Sequence, residues 1–70
     1  MRGDVELFES IIKTADGWTV QAPLYRVDGG PYRRIANGVC PSRIIKVEPM
    51  DEWRQSVFMA KARAMAVRAR

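Results

Sequence analysis

Residues 4 to 14, Asp4-Val5-Glu6-Leu7-Phe8-Glu9-Ser10-Ile11-Ile12-Lys13-Thr14, decide the fold class, because their apolar residues can be read with either period. Val5, Phe8, Ile12 and Ala15 recur at spacings of three and four, with Leu7 and Ile11 beside them, which is the stripe of an amphipathic helix. Asp4 suits the N-cap, Glu6 and Glu9 lie near the positive end of the helix dipole, and Gly17 can take the left-handed conformation that closes a helix. A strand would set Glu9 among the core residues. An N-terminal helix is therefore expected here.

Beyond Gly17 the period falls to two. Trp18, Val20, Ala22 and Leu24 alternate with Thr19, Gln21, Pro23 and Tyr25, which predicts a half-buried strand lying at a sheet edge around Pro23. Asp28-Gly29-Gly30-Pro31 is a turn cluster, Tyr32 to Ala36 reads as a second short strand, and Asn37-Gly38 favours a type I′ hairpin turn. Arg43 to Glu48, carrying Ile44, Ile45 and Val47 between Pro41 and Pro49, gives a third strand. Met50 to Arg70 is a long helix, with Glu48, Asp51 and Glu52 at its start and Arg63, Arg68 and Arg70 toward its end. The expected architecture is one small α+β domain over residues 1–70: an N-terminal helix, a three-stranded antiparallel meander, and a long C-terminal helix packed on one face of the sheet.

The chain has 70 residues and a formal charge of +4, and nine of its twelve cationic residues are arginine. Below about 70 to 80 residues a single core supplies only roughly 3 to 5 kcal/mol, so a large enzyme with its own cofactor cleft is excluded. Histidine is absent and Cys40 is the single cysteine. No disulfide can close within the chain, no imidazole is present to activate Cys40 or the serines, and no acids pair in an apolar setting. The expectation is a protein without catalytic residues, metal or cofactor, with Cys40 a small, partly buried apolar residue. No run approaches the roughly 18 to 20 apolar residues of a membrane helix, and the start turns acidic at once, unlike a signal peptide. A cytoplasmic location follows as an expectation.

Two surfaces attract attention. On the last helix Met50, Trp53, Val57, Ala60, Ala64 and Val67 form a heptad seam, expected to face the core with Trp53 as its anchor. Phe58, Met59 and Met65 lie off that seam and are expected to meet a partner. Arg54, Lys61 and Arg68 recur every seven residues along one flank, while Arg63 and Arg70 lie on the other, which disfavours a parallel zipper of this helix with itself. In the hairpin, a four-residue loop would set Arg26 opposite Arg33, Tyr25 opposite Arg34 and Leu24 opposite Ile35. Tyr25, Tyr32 and Arg34 would then share the outer face, and the opposed arginines would call for an anionic ligand.

Two readings of function follow. In the first, a small non-catalytic nucleic-acid-binding regulatory protein, expected to be a dimer, neutralises phosphates with Arg26, Arg33, Arg34 and Arg43 of the sheet and Lys61, Arg63, Arg68 and Arg70 of the last helix. In the second, the chain is a protein-binding inhibitor or adaptor, of the compact kind that phages and mobile elements encode. It docks on an acidic protein surface through Tyr25, Tyr32, Phe58, Met59 and Met65, as a homodimer or within a hetero-complex.

Overall fold

The computed structural model describes residues 3–68. Four strands, β1 (Val5–Lys13), β2 (Thr19–Val27), β3 (Arg33–Arg34) and β4 (Ile44–Pro49), precede one helix, α1 (Glu52–Arg68). The strands form a single antiparallel sheet in the order β3-β2-β1-β4. The N-terminal helix expected over Asp4 to Thr14 is thus replaced by the central strand, and the three-stranded meander by a four-stranded sheet.

The physical reason lies in β1 itself. β1 buries residues on both faces, Leu7 on one and Ser10 and Ile12 on the other, so its apolar residues need not alternate strictly with polar ones. Leu7 packs on the α1 side with Tyr25, Ile35, Met50 and Ala62, whereas Ile12 packs on the opposite side with Ala22 and Leu24. Two period-two stripes laid over one another mimic spacings of three and four. The objection raised by Glu9 is met by Arg54 of α1, which pairs with it across the layer. Ser10, also buried, donates its hydroxyl to the Ala22 carbonyl at 2.8 Å.

Gly17 closes the β1–β2 hairpin instead of a helix. Its φ of +91° is free of strain only for glycine, and its amide donates to the Thr14 carbonyl at 2.9 Å. The β2–β3 turn is tighter than a four-residue loop. Asp28 (φ +52°) and Gly29 (φ +75°) take the paired left-handed conformations of a type I′ turn, and the Gly30 amide donates to the Val27 carbonyl. A two-residue turn alone would set Val27 opposite Gly30, two residues from the expected register; one extra residue on the β3 side before Arg33 leaves the observed pairs, Leu24↔Arg34 and Tyr25↔Arg33, one residue from it, and β3 shortens to two residues. Every side chain of β3 changes face as a consequence. Pro23 sits where this pairing ends, so the β2 residues before it do form a local sheet edge.

The Asn37-Gly38 pair also turns the chain, but it joins no two paired strands. Gly38 (φ +71°) donates its amide to the Arg34 carbonyl, the Asn37 side chain accepts from the Val39 amide, and the Val39 carbonyl accepts from the Arg34 amide. From there the chain passes to the far edge, where β4 pairs with β1 and not with β3.

The face of α1 that packs on the sheet is the reverse of the expected one. Ala62 is fully buried, and Phe58, Met59, Met65 and Ala66 pack around the Leu7–Tyr25–Ile35 cluster. Phe58, Met59 and Met65, half-buried, are thus spent on packing against that core instead of standing free as an interface. Trp53, Val57 and Val67 of the heptad seam are 65%, 61% and 69% exposed.

Candidate partner-binding surface

With its inner face spent on the sheet, α1 offers its seam to solvent. Trp53, Val57, Ala60, Ala64 and Val67 are all exposed and follow one another at alternating spacings of four and three. Such residues share one side of a helix, here over a length of about 21 Å at 1.5 Å per residue. Exposed cations border this strip on both flanks: Lys61 and Arg68 on one, Arg63 on the other. From Trp53 to Arg68 the helix carries no acid. The strip is an apolar seam between positive rims, the lining a negatively rimmed apolar partner would complement. Sequence reasoning named these residues but assigned them to the core. Both faces of the helix are apolar, so the sequence pattern alone does not say which one packs on the sheet.

The first turn of α1 is fixed rather than free. Arg54 donates from Nε to one carboxylate oxygen of Glu9 and from Nη2 to the other, the latter at 3.3 Å. Its guanidinium also lies 5.2 Å from the ring centre of Phe58 and 5.8 Å from that of Trp53. The hydrogen bond to Glu9 raises Arg54 above the usual guanidinium range, with partial desolvation opposing it.

The hairpin arginines are dispersed. Arg26 does not oppose Arg33; its Nε donates to Glu6 of β1 at 2.8 Å, and its guanidinium stacks 5.1 Å from the Phe8 ring centre and 5.2 Å from that of Tyr32. That hydrogen bond raises Arg26 as well. Tyr32 in turn meets Phe8 edge to face at 5.2 Å and is half-buried. Tyr25, expected on the outer face, is buried beneath α1 at 2% exposure. Arg33 donates to the Gly38 carbonyl at 3.1 Å, and Arg34 turns to the sheet face opposite α1, where its Nε is buried without a hydrogen-bond partner. Arg43 is exposed on the connection before β4. The expected gathering of Tyr25, Tyr32 and Arg34 on one outer face is therefore absent: Tyr32 and Arg34 lie on the face opposite α1, while Tyr25 lies on the face that α1 covers.

One pair of predicted cations does converge. Arg33 and Arg68 both line a groove of about 230 Å³ with Tyr25, Asn37, Gly38 and Met65, at the C-terminal end of α1. Arg70 lies outside the described residues. Cys40 is exposed rather than partly buried. Among the described residues no three of His, Cys, Asp and Glu gather as a metal site, and no helix is long and apolar enough to cross a membrane. Comparison with protein families, with curated proteins and with solved structures finds no match to this chain.

Proposed function

We propose that the protein is a small protein-binding adaptor or inhibitor whose outer α1 face docks into an apolar, acid-rimmed groove on a larger protein. The observation that carries this reading is the exposed seam of Trp53, Val57, Ala60, Ala64 and Val67 between Lys61, Arg63 and Arg68. Exposing a tryptophan and two valines in line costs a small domain solubility, and the contact that covers them supplies the gain. Trp53, at the N-terminal end of the seam, is the anchor, since large aromatic residues carry much of the energy of such contacts. The rim cations steer an acidic partner and set its register.

Nucleic-acid binding would draw on the same cations but leaves the seam without a use, because phosphates gain nothing from Val57 or Ala64. The test uses a Trp18→Phe background, so that Trp53 is the sole tryptophan and its emission can be excited selectively. An amphipathic helical peptide with leucines on one face and glutamates along its borders should shift Trp53 emission to the blue, with affinity largely kept from about 50 to 200 mM salt. Val57→Asp should abolish the shift. A response to duplex DNA alone, lost by orders of magnitude over the same salt range, would transfer the function to nucleic acid.

A further inference from the structure

We propose that the free edge of β4 is a self-association site, through which two copies pair antiparallel about a two-fold axis at Val47 and join their sheets. This surface is separate from the seam of α1 and does not depend on the reading above.

The edge is open and correctly phased. β4 stands at the end of the sheet, and α1 lies over β1 and β2, so no part of the helix blocks it. The Met50 amide donates to the Leu7 carbonyl, and the register then continues through Glu9↔Glu48 and Ile11↔Lys46. In an antiparallel ladder the hydrogen-bonded pairs alternate, so Glu48 and Lys46 turn their peptide groups toward β1. Val47 turns its N–H and C=O outward. A second Val47 laid against it satisfies both groups of each copy.

Side chains make this register self-complementary. With Val47 opposite Val47 of the second copy, Lys46 falls opposite the second copy's Glu48, and its Glu48 opposite the second copy's Lys46. Neighbouring pairs of this kind bring side chains close on one face. Within one chain Glu48 faces Glu9 directly across the strands, and the Glu9 carboxylate is already taken by Arg54. Among the described residues, neither Lys46 nor Glu48 has an ion-pair partner. The second copy supplies one for each. One pair further from the axis Ile45, 53% exposed beside the β-bulge, comes to Pro49 of the second copy. Pro49, which cannot donate a hydrogen bond, limits the pairing at that end and keeps it from extending. Lysine and a bulge on an edge strand ordinarily discourage such pairing. Here the glutamate two residues beyond Lys46 turns the deterrent into a code that admits a second copy in one register.

The test is sedimentation equilibrium on the Cys40→Ser protein. A dimer should form over about 10 μM to 1 mM, as suits a short edge contact. Lys46→Glu or Glu48→Lys alone should weaken it about tenfold, because each sets like charges opposite one another twice. The double reversal K46E/E48K should restore it, since the swapped pair is again self-complementary, with circular dichroism confirming the fold of each variant. In the same background Val47→Cys should oxidise to a cross-linked dimer, the paired Cα atoms lying about 5.5 Å apart. A chain that stays monomeric to about 1 mM, or a dimer indifferent to both reversals, would overturn the proposal. Val57→Asp, which alters only the α1 seam, should leave the dimer intact.

Discussion

Arg54, in the first turn of α1, grips both carboxylate oxygens of Glu9 at the middle of β1. The pair spans the two layers of the fold and is the charged tie between helix and sheet among the described residues. It resolves the conflict that a glutamate creates on the helix-facing side of a central strand. Arg54→Ala and Glu9→Ala should each lower the urea midpoint, and the double variant should lose clearly less than the sum of the two. Chemical denaturation of the four proteins in the cycle measures this. Because the contact raises the arginine, its side of the pair is fully charged at every pH below the ordinary guanidinium range. The contribution that the shift makes fades only as pH rises beyond that range, so between pH 6 and 9, on the order of three units, Arg54 should add no slope to stability.

The two faces of α1 should respond to substitution in opposite ways. Ala62 is fully buried against Leu7 and Tyr25, and Ala62→Leu should cost about 1 to 3 kcal/mol by overpacking. Val57→Ala on the outer seam should change stability by no more than about 0.5 kcal/mol. Thermal or urea unfolding of the two variants side by side decides which face is the core. Equal losses would mean that the seam is covered.

A second apolar layer on the sheet face away from α1 makes a related prediction. Leu24 has no exposure and packs with Ile12 and Ala22, with Phe8, Val20, Tyr32 and Ile44 around them. Leu24→Ala should cost about 2 to 5 kcal/mol, as deep in effect as any change beneath the helix. Such a loss approaches the whole stability of a domain this small, and the variant is expected to be largely unfolded at 37 °C by near-ultraviolet circular dichroism.

How much of this was legible beforehand differs by element. The C-terminal helix could be read because its alanines, its acidic start and its basic end all agree. The strand at Thr19–Val27 could be read because one of its faces alternates cleanly through Val20, Ala22 and Leu24. The central strand could not, since burial on both faces superposes two stripes, and the residue that argued against a strand, Glu9, is answered only by Arg54 at a distance of 45 residues. The hairpin surface was lost to one residue of register, set by the left-handed pair Asp28 and Gly29 together with one extra residue before Arg33, and to α1 covering the face that holds Tyr25. The outer surface of the helix was visible as a pattern, but a periodic stripe does not say which way it faces.

Asp28 gives the sharpest test of that register. Besides its positive φ, its carboxylate accepts from the Asp4 amide at 2.8 Å and the Gly3 amide at 3.2 Å, while its own amide donates to the Asp4 carbonyl. One side chain thus fixes both the β2–β3 turn and the start of β1. Asp28→Asn keeps a residue tolerant of the left-handed region and one of the two acceptors, and should cost less than about 1 kcal/mol. Asp28→Ala loses both acceptors and places a β-carbon in an unfavourable conformation, for about 1 to 3 kcal/mol. Asp28→Gly should fall between them, relieving the backbone while losing the carboxylate. Urea midpoints in the order Asn, Gly, Ala would match the turn described. If alanine were tolerated as well as asparagine, the turn would not be type I′, and a four-residue loop with Arg26 facing Arg33 would return.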